Sequence, residues 1–213
     1  MVSGEFVSMK TLHDTLPRLT PTPVAWGSYA SNPHIHFFLC GYVEMTEDLP
    51  NIESMAQSLA ELHKRGLSPN GRYGFSVPTC QGTIPQYSEW TDSWEEFFSK
   101  SFRLVMENEE RSQGPDPEVQ QLCGAVLKKV IPRLLRPLET GGRQIQPRLV
   151  HGDIWDGNVS TDVNTDAPII FDATCIYAHN ESTFSPTVIP TALTKQLSLR
   201  PCGLLDTVWE SPM

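Results

Sequence analysis

Three polar residues in the second half of the chain constrain its fold more than any other feature. Asp153 and Asn158 lie five residues apart, directly after the apolar pair Leu149-Val150. Asp172 follows Asn158 by fourteen residues and stands at the end of an apolar run. Between them, the segment 164–166, Asn-Thr-Asp, is typical of a turn. This order predicts a loop and then a β-hairpin that returns Asp172 to the side of Asn158.

Two carboxylates and one amide in that place predict an oxygen-rich site suited to Mg²⁺, which takes only one or two protein carboxylates. Phosphoryl transfer needs a carboxylate that orients the attacking hydroxyl, and a metal-bound carboxylate and amide that hold the phosphates. Asp153 fits the first role, and Asn158 with Asp172 fits the second. The spacing is similar to the catalytic loop of protein kinases, with Gly152 in place of the usual arginine and Ala173-Thr174 in place of Phe-Gly.

Each of these residues has a simpler explanation when it is taken alone. A single Asp-Gly or Gly-Asn pair is more often a turn than a catalytic loop. His151 by itself is more often a packed structural histidine than a proton carrier. It is the joint pattern, from His151 through Asn158 to Asp172, that favours a phosphotransferase.

The composition excludes several other classes of protein. The chain has 213 residues, 39% of them hydrophobic and 19% charged, which is typical of a soluble globular protein with one core or two small lobes. A net charge of −9 with scattered basic residues argues against a nucleic-acid partner. No apolar run is long enough to span a membrane, and the N-terminus lacks the regions of a secretory signal. The five widely spaced cysteines favour reduced thiols and a cytoplasmic protein.

Apolar periodicity predicts short elements separated by proline-rich loops. We expect helices over residues 1–16, 51–65, 94–106 and 118–131. Strands are predicted over 24–27, 35–40 and 168–172, of which 35–40 has the composition of a buried strand. Residues 67–90 are rich in Gly, Pro and aromatic residues and predict an ordered, irregular loop.

Several motifs together resemble one known family. They are His151–Asn158, Ile169–Ala173 and Tyr177–Glu181, and upstream Arg72–Phe75, Thr79–Gly82, Pro85-Gln86 and Trp90–Phe98. These segments are similar to the fructosamine/ketosamine-3-kinases, which are relatives of aminoglycoside and choline kinases, and within them to the fungal-type protein-ribulosamine 3-kinases. The resemblance runs from residue 1 to about residue 181. It implies an α+β, protein-kinase-like fold of the aminoglycoside phosphotransferase type.

The resemblance also implies a division of the chain and an activity. Residues 1–45 would form a partial N-terminal lobe, residues 46–181 a mostly helical C-terminal lobe with the catalytic loop, and residues 182–213 a divergent, poorly ordered tail. The implied reaction is ATP-dependent phosphorylation of the 3-hydroxyl of a ketosamine (ribulosamine or fructosamine) on a protein lysine, which leads to deglycation. ATP and Mg²⁺ are the implied cofactors, and glycated protein lysines are the implied partners.

Site residues follow from the same resemblance. Asp153 is implied as the catalytic base, with Asn158 and Asp172 as the magnesium ligands. The backbone C=O of Gly41 and N–H of Val43 would meet the adenine edge at the hinge between the lobes. A strand followed by a turn explains the hinge segment equally well when its residues are taken in isolation.

Glu5 is implied as the residue that pairs with the ATP-phosphate lysine, although a glutamate in a first helical turn is ordinarily a surface charge. Trp155 offers a flat face for a sugar ring beside the catalytic aspartate. Phe75, Trp90 and Trp94 are predicted walls of the substrate pocket. Packing in a core explains each of these aromatic side chains at least as well.

The chain departs from the family pattern at both ends. A Gly-rich loop and a lysine-bearing strand would precede the Glu5 helix, whereas Lys10 follows Glu5 on the wrong element. Residues 182–213 are rich in Ser, Thr and Pro and do not resemble the expected Leu-rich helices. We therefore expect a sheet with an open edge and exposed apolar surface, and weak or absent activity.

Two other functions fit the same sequence less well. One is a catalytically inactive, kinase-like fragment that lacks the Gly-rich loop and the phosphate lysine. The other is a small-molecule kinase of the aminoglycoside or choline type, against which the tryptophan in the catalytic motif counts. Nucleotide binding distinguishes the first alternative from a working kinase, and competition between substrates distinguishes the second.

Overall fold

The computed structural model describes residues 1–183, and the predicted tail at 182–213 lies almost wholly outside the described residues. Five α-helices occur in the described part: α1 Val2–Thr15, α2 Ile52–Arg65, α3 Trp94–Gln113, α4 Pro117–Ala125 and α5 Ile131–Leu135. The strands, paired as two-stranded antiparallel sheets, are β1 Pro23–Tyr29, β2 Asn32–Cys40, β3 Cys80–Gln81, β4 Ile84–Pro85, β5 Arg148–Val150, β6 Val159–Thr161, β7 Pro168–Ile170 and β8 Ile176–Ala178.

The hairpin of β1 and β2 lies against α1, where the rings of Phe6 and Phe38 meet edge to face at 6.0 Å. The prediction that residues 35–40 form a buried strand is wrong, because Ile35 is 52% exposed and Leu39 is 51% exposed. Both strands pair only with each other in the described part of the chain, so side chains opposite α1 are left in solvent. The expected exposed apolar surface is therefore present on this hairpin.

The main core joins α1, α2 and the segment that carries the catalytic motif. Leu12, Leu62, Leu149, Ile154 and Ile170 are fully buried in it. Burying a side chain of this kind stabilises the fold by about 1.5–3 kcal/mol. Because Leu149 precedes the catalytic motif and Ile154 lies within it, on the other side of Gly152, packing of the core determines where the motif lies.

Helix α2 begins at a side-chain cap, since Asn51 Oδ1 accepts hydrogen bonds from the backbone N–H groups of Glu53 and Ser54 at 2.9 and 3.1 Å. The helix predicted at 118–131 is interrupted. Helix α4 ends at Ala125, and a π-turn over Val126–Val130 leads into α5. Pro132 accounts for the break, because its nitrogen carries no hydrogen to donate to the preceding turn.

Four short strands form the frame around the catalytic motif. β5 pairs with β8, and β6 pairs with β7. The irregular loop predicted at 67–90 is ordered and also contains the β3–β4 hairpin, which the sequence did not indicate. Within residues 1–183, none of the helices has the length and apolar character needed to cross a lipid bilayer.

Candidate active site

The loop between β5 and β6 holds Asp153 and Asn158 in direct contact. Asn158 Nδ2 donates to the backbone oxygen of Asp153 at 2.9 Å and to its carboxylate Oδ2 at 3.2 Å. Asn158 is only 4% exposed, so this amide is held by its surroundings as well as by its hydrogen bonds. The two residues that the sequence analysis placed five apart thus belong to one compact loop.

The β6–β7 hairpin brings Asp172 to this loop, as the sequence analysis predicted. Val159 pairs with Ile170, and the backbone N–H of Phe171 donates to the carbonyl of Asn158 at 3.1 Å. Asp172 has a φ of 57°, in the left-handed region that few non-glycine residues adopt. A backbone held in a costly conformation is typical of functional sites, where the surrounding structure maintains it.

His151 links the catalytic loop to the strand before Asp172. Its Nε2 lies 3.0 Å from the carbonyl oxygen of Phe171, which can only accept, so Nε2 carries the proton. Nδ1 then accepts from the backbone N–H of Asp153 at 3.3 Å. Burial lowers the pKa of His151 to about 4, against the raising effect of the Phe171 hydrogen bond. His151 is therefore a neutral, structural histidine at physiological pH.

Gly152 is required by the close contact between the two loops. Its φ is +83°, and a Cβ at this position would lie 2.4 Å from the backbone oxygen of Thr174. The backbone N–H of Thr174 in turn donates to the carbonyl of His151 at 3.0 Å. The segment after Asp172 is therefore packed directly on the residue that precedes Asp153.

Replacing Gly152 by alanine is expected to destabilise the fold by about 3 kcal/mol, from the strained φ together with the overlap with Thr174. Gly142 is the matched control, because it has the same φ of +83° but no atom within 4 Å of its Cβ position. Urea denaturation of both variants measures the effect. Equal destabilisation of the two variants would show that backbone strain alone, and not the contact between loops, accounts for the loss.

Helix α1 attaches to the same segment from the other side. Ser8 Oγ accepts from the backbone N–H of Cys175 at 3.0 Å, in a fully buried position. Glu5 lies one turn earlier, and its pKa is raised by burial and then by the negative charge of Asp172. Glu5 thus lies within electrostatic reach of Asp172, while its pairing with a lysine stays a prediction.

The predicted hinge continues from β2 towards the β6–β7 hairpin. Gly41 donates its N–H to the carbonyl of Thr22 at 2.7 Å. Three residues beyond Val43, the chain reaches β6, where Thr46 N–H donates to the carbonyl of Thr161 at 2.9 Å. The hinge therefore leads directly to the strand that follows Asn158. The adenine contacts of Gly41 and Val43 stay predictions.

Three of the four aromatic residues predicted to contact substrate, Trp155, Phe75 and Trp90, lie in different surroundings. Trp155 is 39% exposed, and its ring lies over Gly157. Phe75 is 4% exposed and belongs to the main core. Trp90 stacks on Tyr177 with ring centroids 6.0 Å apart. Their roles as substrate contacts stay predictions.

A cavity of about 640 Å³ opens beside Gly152. Its wall is largely apolar and aromatic, with several polar side chains, and includes Tyr87, Trp94, Phe98, His179 and Glu181. Phe75, Trp90 and Trp155 are not part of the wall. Trp94 was predicted from the sequence to line the pocket, whereas no role was predicted for Tyr87, Phe98, His179 or Glu181.

The oxygen donors of the loops fit a hard cation. In the described part of the chain, no group of three or more His, Cys, Asp or Glu residues forms a metal site, and the predicted magnesium site uses only Asn158 and Asp172. Asn158 directs its Nδ2 towards Asp153, which turns its Oδ1 the other way. Asp156 Oδ1 is buried and has no hydrogen-bond partner in residues 1–183. A small set of carboxylate and amide oxygens suits Mg²⁺, which takes its remaining ligands from phosphates and water.

Comparison with known proteins identifies the family that the chain resembles. A family model described as fructosamine kinase matches residues 1–197, beyond residue 181 where the motifs end. A chloroplastic protein-ribulosamine 3-kinase of Oryza sativa subsp. japonica is 32% identical over 185 residues, which cover 86% of this chain and 51% of the relative. A ketosamine-3-kinase of Mus musculus is 40% identical over 111 residues, which cover 52% of this chain and 33% of the relative. The chain thus spans about half the length of the rice relative.

Two crystal structures of other proteins resemble this fold. The crystal structure of a proposed fructosamine-3-kinase from Haemophilus somnus superimposes with a TM-score of 0.67 at 18% identity, over 100% of this chain and 66% of that one. Another, from Thermobifida fusca, gives a TM-score of 0.63 at 21% identity, over 85% of this chain and 57% of that one. The expected α+β, protein-kinase-like fold is confirmed. On the match of the family model, the chain belongs to the fructosamine kinase family.

Proposed function

We propose that this protein transfers the γ-phosphate of ATP to the 3-hydroxyl of a ketosamine carried on a protein lysine, as ribulosamine or fructosamine. The proposal is carried by the contact of Asn158 with Asp153 and by the hairpin that brings Asp172 beside them. Membership of the fructosamine kinase family supports the substrate class. The relatives from rice and mouse are named for this chemistry.

In the proposed reaction, Asp153 accepts the proton of the 3-hydroxyl while that oxygen forms a bond to the γ-phosphorus. The bond from the γ-phosphorus to the bridging oxygen of ADP breaks, and ADP leaves with its electron pair. Asn158 and Asp172 would hold Mg²⁺, which neutralises phosphate charge when it is bound. Gly41 and Val43 would bind the adenine edge through their backbones.

The cavity beside Gly152 is the proposed place for the ketosamine. Its apolar wall suits the methylene chain of a lysine, and the carboxylate of Glu181 suits the cationic amine that links this chain to the sugar. Trp155 is proposed to lie against the sugar ring. The net charge of −9 favours basic, lysine-bearing protein surfaces as partners. For the compartment, the widely spaced cysteines favour the cytoplasm.

The direct test uses the 213-residue protein, Mg²⁺, radiolabelled ATP, and a peptide bearing ribulosyl-lysine or fructosyl-lysine. We expect label on the glycated peptide and none on the same peptide without the sugar. An excess of choline or of an aminoglycoside should leave the rate unchanged. If either compound is labelled in preference to the glycated peptide, the small-molecule kinase becomes the better assignment.

The inactive, kinase-like fragment is the second candidate. It is favoured by the exposed apolar side chains of β1 and β2, among them Trp26 and Ile35, which are typical of a surface that binds another polypeptide. Thermal unfolding with and without millimolar Mg-ATP separates the two candidates. A working nucleotide site raises Tm by about 3 °C or more through mass action. An unchanged Tm supports the second candidate.

A further inference from the structure

The β3–β4 hairpin lies beside both loops of the active site without supplying any of the residues assigned to the reaction. Cys80 pairs with Pro85 and Gln81 with Ile84, around a turn that contains Gly82 at a φ of +55°. The backbone N–H of Gln86 donates to the carbonyl of Thr79 at 2.9 Å and closes the base of the hairpin. Two glutamine side chains extend from this frame.

Each glutamine contacts a different loop. Gln81 Nε2 donates to the backbone oxygen of Gly152 at 2.7 Å, immediately before Asp153. Gln86 Nε2 donates to the hydroxyl Oγ1 of Thr174 at 2.8 Å, two residues after Asp172. Both hydrogen bonds are partly buried, so solvent competes with them only in part.

These contacts lie on the two sides of the place where the loops touch. Gly152 and Thr174 are packed so closely that a Cβ on Gly152 would overlap the Thr174 carbonyl. At the base of the hairpin, Gly4 of α1 packs equally closely against the carbonyl of Pro78. The helix that carries Glu5, the hairpin and the two loops are therefore connected by direct contacts.

The same hairpin also forms part of the cavity wall. Gln81, Ile84, Pro85 and Gln86 all line it. A molecule in the cavity would touch the side chains that hold the two loops, so the hairpin connects the cavity with the spacing of Asp153 and Asp172.

We propose that Gln81 and Gln86 are positioning residues, which set the separation of Asp153 and Asp172 by holding Gly152 and Thr174. The kinetic part of this inference rests on the proposed function, whereas the structural part does not. Neither glutamine touches the reacting atoms in this account. Their loss changes the alignment of the carboxylates and leaves Gly41 and Val43, the proposed adenine contacts, in place.

The two hydrogen bonds differ in a way that provides a test. The carbonyl of Gly152 can only accept, so residue 81 must donate, and a glutamate there would place a carboxylate against the carbonyl. The hydroxyl of Thr174 can donate or accept, so a glutamate at position 86 keeps a hydrogen bond. Gln81→Glu should therefore resemble Gln81→Leu, whereas Gln86→Glu should resemble the wild type more than Gln86→Leu does.

In the kinase assay, Gln81→Leu, Gln81→Glu and Gln86→Leu are expected to lower kcat by roughly 10- to 100-fold, because misplacement of catalytic groups by about 1 Å has that effect. The KM for Mg-ATP should stay within about threefold in the Gln81 variants, because Gln81 contacts Gly152 and not the segment that carries Asp172. The double variant Gln86→Leu with Thr174→Val should have about the same kcat as Gln86→Leu alone, because the two substitutions remove the same hydrogen bond. Gln120→Leu, on the exposed face of α4, is the matched control.

A readout without catalysis keeps this inference separate from the proposed function. Hydrogen–deuterium exchange of peptides covering residues 151–158 and 172–176 should become about threefold to tenfold faster in the Gln81→Leu and Gln86→Leu variants, the factor that corresponds to one hydrogen bond. Gln120→Leu should exchange like the wild type. An inactive wild type with this exchange pattern would overturn only the proposed function. Unchanged exchange, or a kcat within about threefold of the wild type, would overturn the positioning role.

Discussion

Asp153→Asn is expected to lower phosphate transfer to a glycated peptide by about 10³-fold, since general base catalysis contributes on the order of 10²–10⁴. The asparagine amide cannot accept the hydroxyl proton, but it has the size of the aspartate. Its oxygen can still accept the hydrogen bond that Asn158 Nδ2 donates at 3.2 Å. The loop should therefore keep its structure while the chemical step fails. Initial rates at saturating Mg-ATP measure the effect.

Asp166→Asn is the matched control for this substitution. Asp166 is exposed in the turn of the β6–β7 hairpin and has a φ of 56°, a conformation that asparagine tolerates well. The Asp166→Asn variant should keep the wild-type rate of phosphate transfer. Thermal unfolding of both variants should agree with the wild type within about 2 °C, as expected for a loss below about 1 kcal/mol. Asp153→Asn activity above a tenth of the wild-type rate would remove Asp153 from the role of base.

The second large effect is a loss of stability in mild acid, caused by His63 and His151. Both are fully buried, and burial is the main reason that each has a pKa of about 4. For His63, the positive charge of Arg148 lowers the pKa further. Both folded-state pKa values lie below the ordinary histidine value of 6.5, so the unfolded chain binds protons more readily.

Stability is fully present above pH 6.5 and falls as the pH decreases towards 4, because protons then favour the unfolded chain. At pH 5 the loss is about 2 kcal/mol for each histidine. Urea denaturation at pH 7.5 and pH 5 measures the total, which is a large fraction of the stability of an ordinary domain.

Variants assign this pH dependence to particular residues. His63 Nε2 lies 2.6 Å from Thr183 Oγ1, and the Thr183 carbonyl accepts from the N–H of Ile154 in the catalytic loop. His63→Gln, which keeps a hydrogen-bonding side chain, should remove about half of the pH-dependent loss. His34→Gln, at an exposed position on β2, should leave it unchanged. If His63→Gln keeps the full loss, other titrating groups are responsible.

Local sequence was enough to predict the central part of the candidate site. The turn at 164–166 and the apolar runs on both sides of it predicted the hairpin that sets Asp172 beside Asn158, and the structure contains it. The prediction of the hairpin succeeded because hairpin pairing depends on residues close together in the chain. The Glu5 helix was predicted for the same reason, since its apolar residues recur at helical spacing.

Burial was harder to predict from local patterns. The apolar composition of residues 35–40 predicted a buried strand, whereas Ile35 and Leu39 are about half exposed because the β1–β2 sheet has only two strands. In the other direction, the sequence left open whether Phe75 lines a pocket or packs in a core, and the structure places it in the main core. The composition of a segment is a local property, whereas the exposure of its side chains depends on which other elements cover them.

The sequence by itself determined the family and the chemistry that the residues from His151 to Asp172 are suited to, because both depend on residue types at set spacings along one short stretch. Only the tertiary structure decided how that stretch is held. Gln81 meets Gly152 across 71 residues, Gln86 meets Thr174 across 88, and Ser8 meets Cys175 across 167. Contacts at such separations arise from packing of the whole core, so no local pattern in the chain indicates them.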